Sequence, residues 1–323
     1  MDDRFPDRLL SRLAAGPLHE SHTSDQEEFK GARLKQALAA LEARGYAVLH
    51  QRGIYRLAHS GDLLLPDQMA VALRGRRFGK PLFSYGRIGS TNEAASRLAS
   101  AEAPEGTLVV AEEQTRGRGR QGRSWHSPPG AGIYMSLVLR PDFHPDRCAG
   151  IPLLGALSIA DGIFRVTGSR PEIKWPNDVN MGGVKVAGVL GESAVEGTAV
   201  RFAVLGMGIN VNLTASSLPE ELRQTAGSLA QATGRTWDRL EVLTAVLAGL
   251  EARYDAYVQS GFGSIRDEFL MATRLVGRCV DVIFPNATVS GTVLDVAPDG
   301  ELVLATDSGV SRVRIGEASL RMR

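Results

Sequence analysis

Seven consecutive residues, Gly117-Arg118-Gly119-Arg120-Gln121-Gly122-Arg123, restrict the fold of this chain more than any other stretch. Glycine permits positive φ and close backbone approach. Arginine presents a planar fork of donors suited to phosphate and carboxylate. Two strand-like runs flank the segment, Leu108 to Ala111 before it and Ile133 to Leu139 after it. A loop of this content, held between strands, suits the wrapping of an anionic ligand. Its downstream neighbours narrow the choice. Gly117, Gly119 and Gly122 spell G-x-G-x-x-G, and Gly117 and Gly122 stand at Walker A spacing with Arg123 in place of the lysine. Both of those phosphate-binding folds open a helix directly after the loop. Here Ser124 to Gly130 follows, with Pro128-Pro129 inside it, and a helix cannot start there. Dinucleotide and P-loop folds are therefore excluded. A flexible RNA-binding arginine–glycine tract is the other reading, but a single short occurrence between strands favours a structured anion loop.

The 323 residues are enough for two or three domains, and 43% hydrophobic with 23% charged residues is ordinary for a globular protein. A formal net charge of +1 gives no global attraction to nucleic acid or membrane, so such binding would need a local patch. Cys148 and Cys279 lie far apart without metal or redox spacing, which suits a reducing cytoplasm. The N-terminus lacks an apolar signal core. The most apolar stretch, Ile151 to Ala160, is too short to span a bilayer and reads as a buried helix. A cytoplasmic protein with no membrane partner is expected.

Three units are expected along the chain: 1–62, 63–273 and 274–323. In the first, helices over Asp7 to Ala15 and Glu28 to Arg44 precede a hairpin of Tyr46 to His50 and Ile54 to Leu57, with Gly45 as a helix C-cap. Helices followed by a small hairpin suggest a winged helix-turn-helix. Lys30, Arg33, Lys35, Arg44, Arg52 and Arg56 form a basic patch of the kind DNA requires. The run His19 to Glu28, with Glu20, Asp25, Glu27 and Glu28, would repel phosphate, and no clear second helix lies there. DNA binding and a purely structural docking role both stay open. The second unit mixes strands (Leu82 to Tyr85, Leu108 to Gln114, Ile133 to Leu139, Arg201 to Gly206) with helices (Asn92 to Ala101, Ala149 to Thr167, Leu240 to Tyr257), an α/β domain on a mixed sheet. The third has strands over Cys279 to Phe284, Thr288 to Val296, Leu302 to Thr306 and Val310 to Ile315, punctuated by Pro285-Asn286, Pro298-Asp299-Gly300 and Asp307-Ser308-Gly309, a small β-barrel pattern.

Three more motifs carry polar chemistry. Lys174-Trp175-Pro176-Asn177-Asp178 precedes a Gly182-Gly183 hairpin turn and a strand, Val184 to Leu190, whose Lys185 is flanked by apolar residues. Such a lysine either snorkels or meets an anion. Gly89-Ser90-Thr91-Asn92 opens a helix, with Ser90 or Thr91 as the cap and Glu93 in the first turn; a helix N-terminus can also hold a polar ligand. Gly206-Met207-Gly208-Ile209-Asn210 ends an apolar strand, where glycines admit close approach and Asn210 offers donor and acceptor.

In this order, STN, GRGRQGR, KWPND, the K-x-A-G strand and G-x-G-I-N resemble the biotin–protein ligases, and the resemblance runs over nearly the whole chain. It implies an α+β multidomain fold: an N-terminal winged helix-turn-helix as in the bifunctional ligase and biotin operon repressors, a central mixed-sheet ligase domain like that of class II aminoacyl-tRNA synthetases, and a small C-terminal SH3-like β-barrel. It further implies an AMP-forming ligase that joins biotin and ATP, with Mg²⁺, into biotinyl-5′-adenylate and transfers biotin to a lysine of a biotin carboxyl carrier protein. By the same resemblance Arg118, Lys185 and Asp178 are catalytic. Ser90, Thr91, Asn92, Gln114, Arg118, Gly119, Arg120, Lys185 and Gly188 bind biotin. Arg118, Arg120, Arg123, Trp125, Asn177 and Asn210 face the nucleotide, and Asp178 is the candidate Mg²⁺ ligand or base. The implied partners are a second copy in a homodimer, for which the sequence carries no signature, and operator DNA. The rivals are a lipoate–protein ligase, which shares the fold and reaction type but lacks this arginine loop; a transcription factor using biotinyl-adenylate only as corepressor, which would not need Lys185 and the full loop; and a pure DNA- or RNA-binding protein, which leaves the apolar middle domain unexplained.

Overall fold

The protein is described from a computed structural model covering residues 5–19, 29, 31–58, 62–284, 287–313 and 319–322. The acidic run Glu20 to Glu28, Lys30 and the Pro285-Asn286 turn lie outside the described residues. The N-terminal unit contains α1 (Phe5–Ala14), β1 (Leu18–His19), α2 (Gly31–Ala43), β2 (Val48–Gln51) and β3 (Ile54–Leu57), with strand order β1-β3-β2. Leu9, Leu10 and Leu13 of α1 meet Leu34, Ala37 and Leu41 of α2 at helical spacing, giving this unit its own core. Gly45, at φ 80°, ends α2 as expected. The first hairpin strand starts at Val48, later than the expected Tyr46. Tyr46 is instead buried, and its hydroxyl lies 2.8 Å from Ser84 Oγ in the next unit.

After α3 (Pro66–Ala72) come β4 (Leu82–Ile88), α4 (Thr91–Ser100), β5 (Leu108–Gln114), β6 (Gly132–Leu139), α5 (Ile151–Thr167), β7 (Glu172–Lys174), β8 (Asp178–Met181), β9 (Val184–Glu196), β10 (Ala199–Asn210), α6 (Leu229–Thr233), α7 (Arg239–Ser260) and α8 (Arg266–Thr273). The seven strands form one sheet, ordered β4-β5-β6-β10-β9-β8-β7. The β4–β5 pair is parallel and the remaining pairs are antiparallel. Alternate side chains serve opposite faces. Val109, Val138, Phe202 and Val204 pack with Ala94, Ala95 and Ala99 of α4. Val110, Leu137, Ala203 and Leu205 join the main core with α5 and α7. The helical stretch Pro145–Thr167 is long and apolar enough to cross a bilayer by composition, yet its most apolar window is 67% buried inside the fold as a core helix.

The last unit is β11 (Cys279–Ile283), β12 (Thr288–Val296), β13 (Leu302–Thr306), β14 (Gly309–Val313) and β15 (Ser319–Met322), an antiparallel sheet ordered β14-β13-β12-β11-β15. Its Val280, Val282, Val293 and Leu304 belong to the same continuous core as the central sheet.

Two contacts fix the N-terminal unit. On the edge strand β4, the Gly86 N–H donates to Arg44 O at 2.8 Å and Arg44 Nε donates to Ser84 O at 2.9 Å. Burial pushes the Tyr46 phenol up to about 12 against the smaller opposing effect of its Ser84 hydrogen bond. Behind the sheet, the fully buried Arg239 holds the segment before α3. Its Nε donates to Asp62 Oδ2 at 3.1 Å, and its Nη1 donates to Glu112 Oε2 at 2.9 Å and Gly132 O at 2.8 Å. The other Glu112 oxygen accepts from Leu64 N–H at 2.6 Å. Burial works against the Arg239 charge, but Glu112 and Asp62 outweigh it and raise its pKa.

Candidate active site

A cavity of about 640 Å³ opens where β5, β6, β10, β9 and β8 meet the arginine loop. Its wall includes Ser90, Thr91 and Asn92 from the start of α4, Gln114 from the end of β5, and Arg118, Gly119, Arg120, Arg123 and Trp125 from the loop. It also includes Asn177, Asp178, Lys185, Gly188 and Asn210. The four motifs, distant in sequence, are thus neighbours around one space.

The loop is a compact hairpin. Gly119 N–H donates to Arg123 O at 2.7 Å, and Trp125 N–H donates to Gly117 O at 2.8 Å. A single 3₁₀ turn at Arg120–Gly122 reverses the chain through Gln121 and Gly122, at φ 56° and 70°. Its base continues the parallel pairing of β4 and β5, because Thr115 and Arg116 donate to Ile88 O and Gly89 O. The arginines diverge. Arg118 Nη2 meets Glu192 Oε1 at 2.8 Å, Arg120 Nη1 donates to Asn177 Oδ1 at 3.1 Å, and Arg123 Nη2 donates to Gln121 Oε1 at 3.2 Å. Burial pulls the Arg120 pKa down, while Asp178 works the other way.

At the opposite end of the cavity a polar chain runs through otherwise buried surroundings. Gln114 Oε1 accepts from Thr91 N–H at 2.8 Å and from Thr91 Oγ1 at 3.0 Å. Gln114 Nε2 donates to Ser127 Oγ at 3.0 Å. Ser136 Oγ lies 2.8 Å from Thr91 Oγ1 and 2.6 Å from Asn92 Oδ1, and can donate its proton to one of them at a time. Asn92 Nδ2 donates to Glu192 Oε2 at 2.9 Å. Ser90 occupies the N-cap position of α4, but its hydroxyl makes no capping bond. The expected capping bond is therefore absent, while the first helical N–H, that of Thr91, goes to Gln114.

Between these ends, Lys185 Nζ lies 2.6 Å from Asp178 Oδ1 and 5.2 Å from the centroid of the Trp125 ring. Of the two readings of Lys185, the structure selects the anionic partner. The Gly182-Gly183 turn, with φ of 59° and 81°, sets β8 against β9 and brings the two side chains together. Trp125 rests on Gly188 and Gly208, where an added Cβ would fall 3.0 Å and 2.6 Å from ring carbons. Trp125 Nε1, Asn180 Oδ1 and Asn210 Oδ1 are buried without a hydrogen-bond partner, and all three residues line the cavity. Such atoms carry a desolvation cost that a polar ligand would relieve. Among the described residues no cluster of three or more His, Cys, Asp and Glu side chains could hold a metal ion.

Sequence reasoning missed Ser127, Ser136, Asn180 and Glu192. It also missed Ile283, Leu320 and Arg321, which bring the C-terminal sheet to the cavity wall. Ser136 had a signal, a lone hydroxyl within the apolar run Ile133 to Leu139. Glu192 had none, because its role depends on partners distant in sequence.

The profile of the biotin/lipoate A/B protein ligase family matches residues 85–210, the segment carrying all four motifs. The bifunctional ligase/repressor BirA of Bacillus spizizenii is 37% identical over 282 residues, 87% of this chain and 86% of that protein. Its Escherichia coli counterpart is 26% identical over 99% of this chain and 98% of its own length. A solved biotin protein ligase from Aquifex aeolicus, in complex with biotin and ATP, superimposes with a TM-score of 0.66 at 31% identity, covering 76% of this chain and 100% of that one. The chain belongs to the biotin protein ligases of the biotin/lipoate ligase family, with bifunctional ligase/repressors as relatives over nearly its full length.

Proposed function

We propose that the cavity binds biotin at its Thr91–Gln114 end and ATP at its Asn177–Asn210 end, and that the two react across Lys185. A biotin carboxylate oxygen attacks the α-phosphorus, the bond to the bridging oxygen breaks, and pyrophosphate leaves. The amine of an acceptor lysine then attacks the acyl carbon, the acyl–oxygen bond breaks, and AMP leaves. The first step brings two anions together, so fixed positive charge has to offset their repulsion and the charge gathering at phosphorus. Arg118 and Lys185 take that role, with Arg120 and Arg123 toward the phosphates. Ser90, Thr91, Asn92 and Gln114 form a hydrogen-bonding surface for the ureido ring, with Gly119 and Gly188 allowing close backbone approach.

The observation that carries this reading is the set of unsatisfied buried atoms on the nucleotide side. Asn210 Oδ1 and Asn180 Oδ1 lack donors and Trp125 Nε1 lacks an acceptor, while Asn210 Nδ2 is engaged by Gly227 O at 2.9 Å. A purine with an exocyclic amine and ring nitrogens offers both complements. The donor set also fits a magnesium nucleotide. Mg²⁺ takes one or two protein oxygens and fills its shell from phosphate and water. Asp178, with Asn180 on the same face of β8, would hold the ion, which supplies charge neutralisation when bound. The competing role for Asp178 is to accept the proton of the attacking amine. The pH profile of transfer from preformed adenylate separates the two: a profile unchanged by Asp178→Asn excludes the base. The overall test is pyrophosphate release requiring both biotin and ATP, followed by labelling of a biotin carboxyl carrier domain. Absence of biotin-dependent release would refute the reading.

A second role in operator binding rests on the BirA relatives and on the hairpin, where His50 and Tyr55 stack at 4.1 Å and Arg52 and Arg56 are exposed. Arg44 does not add to this surface. It pairs with Asp7 at 2.6 Å and holds β4. A gel shift on DNA upstream of biotin-synthesis genes, with and without biotin and ATP, tests the role. For the expected dimer, the β4 edge is covered by Arg44, whereas β8 pairs with β9 only over Val184 to Gly188. The remaining outer edge of β9, toward the half-exposed Val195, is the better candidate. Sedimentation with and without both ligands tests it. Two unpaired cysteines fit a cytoplasmic setting.

A further inference from the structure

Glu192 stands apart from the residues above. It is absent from the wall of the main cavity and lines a smaller one of about 210 Å³ behind it, with Cys148, Pro152 and Ser193. Yet its two carboxylate oxygens contact two parts of the site. One meets Arg118 Nη2 of the loop at 2.8 Å, and the other accepts from Asn92 Nδ2 at the start of α4 at 2.9 Å. The second contact fixes the orientation of the Asn92 amide. An ionised carboxylate can only accept, so the NH₂ group turns to Glu192 and Oδ1 turns to Ser136. The first contact uses one terminal nitrogen of the Arg118 fork. The guanidinium has further donors on Nε and Nη1 that can address a ligand at the same time.

We propose that Glu192 is a positioning residue that anchors Arg118 from behind, holding the loop against the biotin end of the cavity and thereby retaining the reactive adenylate. The proposal rests on the reading of Arg118 as a group that covers the adenylate. A mixed anhydride that escapes reacts with any amine it meets, so retention decides whether labelling is confined to the acceptor. Removing the anchor frees a half-exposed arginine on a glycine-rich hairpin without removing its charge. Adenylation therefore persists while retention fails.

The experiment compares the wild type with Glu192→Ala, Glu192→Gln, Arg118→Gly and the double variant Arg118→Gly/Glu192→Gln. Three quantities are read: biotin- and ATP-dependent pyrophosphate release in a single turnover, loss of bound biotinyl-adenylate on dilution, and labelling of lysines on a bystander protein. Loss of one charge-assisted hydrogen bond at a partly exposed site predicts about tenfold faster adenylate loss in Glu192→Ala, with single-turnover adenylation within about threefold of wild type and raised bystander labelling. Glu192→Gln keeps an acceptor for Asn92 and removes the charge, so biotin affinity stays near wild type while adenylate loss still rises. In the Arg118→Gly background, Glu192→Gln adds nothing to adenylate loss, because the removed charge has no partner there and the Asn92 contact is kept. Wild-type retention in both Glu192 variants, or an effect that multiplies with that of Arg118→Gly, overturns the proposal. Wild-type retention in Arg118→Gly alone overturns the underlying reading of Arg118 instead.

Discussion

The buried Arg239 gives a stability prediction whose size can be argued group by group. Arg239→Met keeps the aliphatic stem and deletes every donor of a side chain with 0% exposure. Four acceptors lose a partner: Asp62 Oδ2, Asp62 O, Glu112 Oε2 and Gly132 O. The Asp62 side chain is 47% exposed, so water can replace the guanidinium there at little cost. Gly132 O loses its buried donor, worth about 1 kcal/mol. The larger loss falls on Glu112, whose side chain is 6% exposed and would keep just the Leu64 N–H. Breaking a buried pair by removing one member costs about 3–5 kcal/mol, because the other charge is left uncompensated. The whole variant should therefore lose about 4–6 kcal/mol. If the orphaned charge is the cause, adding Glu112→Gln should return about 1–3 kcal/mol, since a neutral amide still accepts from Leu64 N–H. The assay is urea unfolding followed by tryptophan fluorescence, with the buried Trp175 and Trp237 as reporters of this core. A loss under about 1 kcal/mol, or a double variant less stable than the single one, would refute the account.

Three further outcomes follow from close packing and one titration. Gly206→Ala would put a Cβ 2.7 Å from Asn92 Cγ, so biotin affinity measured by calorimetry should fall at least about tenfold while ATP affinity changes less. Gly208→Ala would crowd the Trp125 ring at 2.6 Å and should raise the KM for ATP more than that for biotin. The Tyr46 phenol, raised from 10.0 to about 12 by burial, keeps its proton longer in the folded protein than in the unfolded chain. Its stabilisation is complete below pH 10 and is lost as pH rises toward 12. Tyr46→Phe should flatten the alkaline part of the stability–pH curve, and an unchanged curve would show that this phenol is not the titrating group.

The arginine loop was readable because its flanks excluded the helix that rival folds require. The Gly182-Gly183 turn was readable for a similar local reason: two adjacent glycines with positive φ close a hairpin whatever surrounds them. Strands without such punctuation were harder. β15 is four residues long and exists through pairing with β11, and β7 and β8 flank the KWPND motif, whose proline and short arms hide them. Ser90 shows the limit of a local rule: it stands at the N-cap, yet its hydroxyl makes no capping bond. Glu192 and Arg239 lay beyond local reasoning. Each draws its meaning from charged groups that chain proximity does not bring near, and buried ion pairs follow topology, not spacing.

The junction of Arg44 with β4 bears on how the protein could be trimmed. A shortened chain starting beyond the N-terminal unit would keep the whole cavity, and so looks like a convenient minimal ligase. It would also uncover Ser84 O and Gly86 N, now hydrogen-bonded to Arg44, along one margin of a seven-stranded sheet. Unsatisfied backbone groups in that setting invite strands from other molecules. The first unit thus doubles as a solubility guard for the second, and its removal would favour self-association before it impaired chemistry.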